Sequence, residues 1–103
     1  MWLFTTKGFI SAVAWKDCDK TLCVRARRAD HLAALFPDHE IMAWAGADYP
    51  YRCRVPREQF EQAMLAEMRA VDYVDFKSQL QDHAYHDACL DVWHAMHQLQ
   101  QRD

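Results

Sequence analysis

Phe9-Ile10-Ser11-Ala12-Val13-Ala14-Trp15-Lys16, Asp17-Cys18-Asp19-Lys20 and Thr21-Leu22-Cys23-Val24-Arg25-Ala26-Arg27 follow one another directly, and their reading decides the fold class of this 103-residue chain. The first block is an apolar run of β-branched and aromatic character entered from Gly8, which reads as a strand. The second block has the polar composition of a turn. In the third, Leu22, Val24 and Ala26 alternate with Cys23, Arg25 and Arg27. A period of two places the aliphatic set on one face of a strand and the arginines on the other. Together the blocks predict a β-hairpin with one buried face. Trp2 to Thr6 either forms a separate short strand or begins the same one, with Lys7-Gly8 as a bend or a bulge.

Outward from the hairpin, the pattern changes period. Asp30 is the predicted N-cap of a short helix carrying Leu32, Leu35 and Phe36 and ended by Pro37. Ile41 to Trp44 reads as a brief strand, and Gly46-Ala47-Asp48 as a turn. Tyr51, Cys53 and Val55 then alternate with Arg52 and Arg54, a further strand with Pro50 near its start or on an edge. Pro56 suits the first turn of a helix running to about Val71, with Phe60, Met64, Met68 and Val71 on one face. Asp72 or Asp75 restarts a short helical piece containing Phe76 and Leu80, a kink falls near 81–83, and Asp82 caps the last helix. There Tyr85, Cys89, Val92, Met96 and Leu99 recur at steps of four and three, one apolar seam. The predicted architecture is an α+β two-layer sandwich, a small antiparallel sheet packed against helices with a helical carboxyl-terminal half, in a single domain of residues 1–103.

Two glycines and three prolines are too few for a disordered or loop-dominated chain, and the length is enough to bury an independent core. The start MWLFTTKGF has no basic leader before an apolar core, and no apolar run reaches the roughly 18 residues of a spanning helix, so no membrane role and a cytoplasmic location are expected. Cys18, Cys23, Cys53 and Cys89 contain no CxxC pair and read as free thiols in such a compartment. Charge is polarised along the chain: residues 1–57 carry nine Lys and Arg against six Asp and Glu, and residues 58–103 three against nine. Such asymmetry bears on what approaches the surface, not on the fold.

Trp2, Thr5-Thr6, Gly8-Phe9, Ser11-Ala12-Val13, Val24-Arg25-Ala26-Arg27, Asp48-Tyr49-Pro50-Tyr51-Arg52, Val55-Pro56-Arg57, Asp72-Tyr73 and Phe76-Lys77 resemble a family of small bacterial and phage proteins that begin MW-aliphatic-x-TT-x-GF. The likeness spans nearly the whole chain. It implies the setting of an accessory protein of bacterial genomes and mobile elements, and it transfers no catalytic residue.

Two surfaces are candidates for binding. Arg25, Arg27, Arg52 and Arg54 point away from the apolar faces of their strands, so strands sharing one sheet would gather four guanidinium groups on its far side, with Trp15 or Tyr49 at the margin. That face suits phosphates and stacked bases, or an acidic protein surface; the plainer alternative is pairing with nearby carboxylates. The last helix carries His83, His86, His94 and His97 opposite its seam, with Leu90 among them and Asp87 and Asp91 beside them. Each histidine pair supplies two ligands where zinc takes three or four, and the pairs lie eleven residues apart, about 16 Å along a helix. No metal site or cofactor is assigned, and His86, Leu90, His94 and His97 are read as solvent or partner surface. Ser11 and Ser78, the two serines, sit in no nucleophile elbow, and Asp72 and Asp75 are better explained as caps. No catalytic residue is assigned.

The expectation is a non-enzymatic binding protein acting through a protein-protein surface; in a bacterial or phage setting, an inhibitor of a host system such as an anti-CRISPR is a concrete version. A nucleic-acid-binding module using the arginine face is the alternative, and an enzyme with an unrecognised pocket is a third. Trp44, Trp93 and Leu90 leave room for a homodimer.

Overall fold

A computed structural model describes residues 1–102. Five antiparallel strands form one sheet, β1 (Trp2–Thr5), β2 (Gly8–Trp15), β3 (Cys18–Ala26), β4 (Met42–Ala43) and β5 (Tyr51–Pro56), in the order β1-β2-β3-β5-β4. Helix α1 (Ala29–Leu35) connects β3 to β4, α2 (Arg57–Arg69) follows β5, and a 3-10 turn at Lys77–Gln79 precedes α3 (His83–Gln100). The α+β class with a helical carboxyl-terminal half is what the periodicities predicted. The chain divides into two compact units, Met1–Asp72 and Tyr73–Asp103.

In the first unit the alternation of the hairpin governs the layers. Ala12 pairs with Val24, and Val24 with Cys53, so the inward residues of three neighbouring strands lie side by side. Ile10, Val24, Ala26, Cys53 and Val55 are sealed from solvent beneath Leu32, Leu35 and Phe36, contributed by α1 and its C-cap, and beneath Phe60 of α2. Burying side chains of the Val, Leu and Phe class stabilises by about 1.5–3 kcal/mol each, which is why two short helices hold to this face at all. Both helices pack on the same side of the sheet, the second layer of the sandwich.

The turns are tighter than composition alone indicated. Trp15 pairs with Cys18, which leaves Lys16-Asp17 as a two-residue loop, with a register shift between Ala14 and Trp15. Asp17-Cys18-Asp19-Lys20 is therefore not the turn, because Cys18 already belongs to β3. Trp2 to Thr5 is a separate strand, closed by Thr5 opposite Gly8. Gly8 has φ +151°, and a Cβ there would lie 2.3 Å from Cγ of His31, so only glycine lets α1 approach this closely. His31 is buried, and its Nδ1 accepts the Phe9 N–H at 3.1 Å. That donor faces the side of β2 where β3 has ended at Ala26, so the imidazole completes the ladder.

Several caps and seams differ from expectation. Arg28, not Asp30, is the N-cap residue of α1; Asp30 sits in the first turn, where its carboxylate pairs with Arg28 at 2.8 Å. Pro56 closes β5 and serves as N-cap of α2, outside the first turn. Asp82 caps α3 by accepting the Tyr85 N–H at 2.9 Å, as its position suggested. The piece between α2 and α3 is one 3-10 turn, held by Asp75, which accepts from the Lys77 N–H and the Ser78 hydroxyl.

The largest departure is the seam of α3. Tyr85 and Cys89 are buried, but Val92, Met96 and Leu99 are 37%, 57% and 52% exposed. Among the described residues of its own unit, the 3-10 turn is the one other regular element α3 has beside it. The same holds in milder form on α2, where Phe60 is buried, Met64 partly so, and Met68 exposed.

Candidate functional site

The face of the sheet away from α1 and α2 is built by strand parity. Ser11 opposes Arg25, and Arg25 opposes Arg52; Val13 opposes Cys23, and Cys23 opposes Arg54. Arg25, Arg52 and Arg54 therefore do share one face with Ser11 and Val13; Arg27, one residue past the end of β3, joins them through the Tyr49 ring it shares with Arg25, and Trp15, beyond the register shift, through Arg54. By the same alternation Trp2 and Phe4 of β1, Phe9 of β2 and Met42 of β4 belong to it, through the pairs Trp2–Ser11, Phe4–Phe9 and Met42–Arg52.

Each guanidinium is already seated on an aromatic ring. Arg25 and Arg27 lie over Tyr49, 4.5 and 4.1 Å from its centroid; Arg52 lies 5.3 Å from Trp44, and Arg54 4.8 Å from Trp15. Guanidinium groups stack well on such rings because they are planar and weakly hydrated. Tyr49 is thus central to the face, not marginal, and only 4% exposed. Main-chain and hydroxyl acceptors hold the arginines further: Arg25 donates to Ser11 Oγ at 2.9 Å, Arg27 to the Asp48 carbonyl, and Arg52 to the Tyr49 carbonyl at 3.3 Å.

Charge on this face is only partly balanced. Among the described residues Asp48, 3.4 Å from Arg52, is the one carboxylate in ion-pair contact with any of the four. Arg25 and Arg52 are direct cross-strand neighbours, an arrangement that costs stability for like charges. Nε of Arg25 is buried without a hydrogen-bond partner. Arg27 and Arg54 keep exposed heads, while Arg25 and Arg52 are half-buried. A recess of about 380 Å³ opens between Trp15, Glu40, Met42 and Arg54, the size of a small pocket that admits one anchoring side chain. A second hollow of about 650 Å³ lies between Asp19, Lys20, Pro56, Arg57, Glu58 and Glu61, where opposite charges alternate.

The aromatic end of the face was not foreseen. Phe4 stacks on Phe9 at 4.5 Å, Trp2 meets Phe9 edge-on at 5.8 Å, and Trp2 is 67% exposed. Their common side follows only once the register of β1 on β2 is known. A strand placed in Trp2 to Thr6 with a tight turn at Thr6-Lys7 would have carried that signal.

On α3 the histidines do not converge. His94 and His97 are exposed and bracket Trp93, His97 stacked at 5.3 Å and His94 edge-on at 5.2 Å. Half-buried His86 contacts Asp87 at 3.2 Å. Leu90 is half-buried too. Among the described residues no group of three or more His, Cys, Asp or Glu side chains is arranged to hold a metal ion. No described helix is long and apolar enough to cross a membrane.

The thiols differ by environment. The Thr21 hydroxyl at 3.6 Å and the Lys20 backbone hold the Cys18 thiol below its ordinary range, whereas burial pushes Cys53 and Cys89 up. All four are free.

No protein-family model, curated protein sequence or solved structure matches the chain.

Proposed function

We propose that this chain is a non-enzymatic binding protein that engages an acidic protein partner through the arginine-aromatic face of its sheet. The observation that carries the reading is the occupancy of the rings: Tyr49, Trp44 and Trp15 are each covered by a guanidinium. Binding of single-stranded nucleic acid uses aromatic faces free to stack bases, and here three of them are taken. Protein interfaces instead draw their strongest anchors from Trp, Tyr and Arg held rigidly in place. The recess beside Trp15 and Arg54 accepts one anchor from the partner, and the surplus of positive charge steers acidic surfaces toward it. The cross-strand Arg25–Arg52 pair is a stability cost that such a role repays.

One observation favours nucleic acid as a second reading: Trp2 stands exposed at the end of the same face, a ring a base would stack on. The resemblance to small bacterial and phage proteins supports a cytoplasmic accessory role, with inhibition of a host system, as in an anti-CRISPR, as its specific form.

The test is a capture experiment from bacterial lysate, with and without nuclease, using the native chain and Arg27→Glu/Arg54→Glu. Both residues are exposed, so the double variant should lose the Tyr49 and Trp15 ring contacts yet still unfold in one cooperative transition, which its melting curve checks. A protein retained by the native chain after nuclease and released by the variant supports the reading. Loss of all bound material on nuclease treatment transfers the face to nucleic acid, and capture indifferent to the two reversals removes it from function.

A further inference from the structure

The sheet has two edges, and only one is blunted. β4 is two residues long, and just beyond it Trp44 donates to the Pro50 carbonyl, so little main chain is left to pair. β1 spans Trp2–Thr5 with no charge, proline or bulge, the devices by which natural edges are protected.

The ladder determines what that edge offers. Met1 and Ala12 exchange both main-chain hydrogen bonds, each 2.8 Å. Bonded and non-bonded pairs alternate along an antiparallel ladder, so Leu3–Ile10 and Thr5–Gly8 are bonded pairs as well. Trp2 and Phe4 consequently turn their N–H and C=O groups away from β2, two donors and two acceptors on the free edge.

We propose that β1 is a pairing edge whose partner is a second copy of this chain, the two strands running antiparallel about a two-fold axis at Leu3. That register sets Trp2 opposite the partner subunit's Phe4 and Phe4 opposite the partner subunit's Trp2, and each pair exchanges two main-chain hydrogen bonds. Trp2-Leu3-Phe4 reads aromatic, aliphatic, aromatic from either direction, so the side chains match as the hydrogen bonds do. On the outer face each exposed Trp2 ring gains an aromatic neighbour beside the Trp2–Phe9 and Phe4–Phe9 contacts already present. No like charges meet, because the Met1 ammonium is bound to the Ala12 carbonyl and in this register faces the partner subunit's Thr5, while Lys7, the nearest charged side chain, lies in the hairpin turn and pairs with Glu67 at 3.5 Å. The two five-stranded sheets become one of ten, and both arginine faces fall on the same side, since a two-fold axis between antiparallel edge strands stands perpendicular to the sheet. This pairing is independent of what the arginine face binds.

A four-residue strand with two rings on each side buries well under the roughly 800 Å² per partner of a stable interface, so the dimer forms and dissociates at concentrations on the order of 100 µM. Sedimentation equilibrium of the full chain across that range is paired with hydrogen exchange at the Trp2 and Phe4 amides. Self-association is expected, with both amides slowing as concentration rises. Trp2→Pro removes one outward N–H per chain and the ring that meets the partner subunit's Phe4, and leaves the ladder to β2 intact, so it should weaken association ~10-fold or more while the loss of the Trp2–Phe9 contact lowers the melting temperature only slightly. Should that variant fold poorly, Trp2→Lys, which adds charge at an exposed position, is expected to weaken association in the same direction. A native chain that stays monomeric with concentration-independent exchange at both amides overturns the proposal. So does association that survives both variants and is abolished by Met96→Asp, which would assign it to α3.

Discussion

The sheet unit and α3 carry apolar patterns of comparable clarity and treat them in opposite ways. In the hairpin every inward position from Ile10 to Ala12 and from Val24 to Ala26 is sealed, because α1 and α2 lie over them. Along α3 the repeat of Tyr85, Cys89, Val92, Met96 and Leu99 is just as regular, yet burial ends at Cys89. Periodicity establishes which side chains share a face. Whether that face is covered depends on what the rest of the chain brings to it, and among the described residues of its own unit α3 has a 3-10 turn as its one regular neighbour.

Substitutions in the two units should therefore differ by several kcal/mol, and the largest effect belongs to Gly8. Gly8→Ala forces a Cβ into His31 in a backbone conformation that L residues rarely adopt, so roughly 4 kcal/mol of stability should be lost in chemical denaturation. A cost under about 1 kcal/mol would mean that α1 moves aside easily and that the sheet layer is less tightly packed than its contacts indicate.

Next comes a matched pair of truncations. Leu32→Ala, at a position with no solvent exposure, should cost about 3 kcal/mol. Met96→Ala should cost under about 0.5 kcal/mol, because its side chain already faces water and alanine favours helix. Equal losses would break the contrast and show that the far half of α3 is buried in solution.

The thiols sharpen the same comparison without altering the fold. Alkylation at pH 8 should modify Cys18 first, ~10-fold faster than Cys89, since the thiolate is the reacting form and Cys18 is both lowered in pKa and partly exposed. Peptide mapping after partial labelling reads the order directly. Cys89 reacting first would mean that even the opening turns of α3 are open.

The smallest effect is expected in the turn before α3. The Ser78 hydroxyl, followed by Lys77, holds the Asp75 carboxyl below its ordinary value of 3.8. A carboxylate depressed in the folded state stabilises it above the unfolded pKa, and the contribution is lost as pH falls through the folded one. The protection factor of the Lys77 amide, its exchange rate corrected for the intrinsic fall with pH, should accordingly hold above about pH 4 and drop below it, while the sheet amides remain protected. No change in that window would leave the Asp75 cap without energetic weight.

Much of the first unit was legible because local rules bind there. Period-two alternation put Val24 and Ala26 inside and Arg25 outside, and the covalent geometry of a strand permits nothing else. The N-cap of α3 was legible for the same reason: Asp82 needs only its own next three residues. Asp30 misled because Arg28, two residues away, takes the capping place and draws the carboxylate into an ion pair. The turn after β2 misled because a polar run marks a turn without saying which two residues of it turn.

The candidate site divides along the same line. That Arg25, Arg52 and Arg54 share a side of their strands is written in the alternation of two short segments, and so is the apolar face that each strand buries; Arg27, past the end of β3, reaches that side through Tyr49. Pairing and register belong to the tertiary structure alone. They bring Arg25 beside Arg52, lay two guanidiniums on Tyr49 from a loop more than twenty residues away, set Trp2, Phe4 and Phe9 at the end of the same face, and press Gly8 against His31. A strand's own period specifies its two faces. Only the neighbour it meets specifies what those faces touch, because that contact joins residues whose separation along the chain no local rule can see.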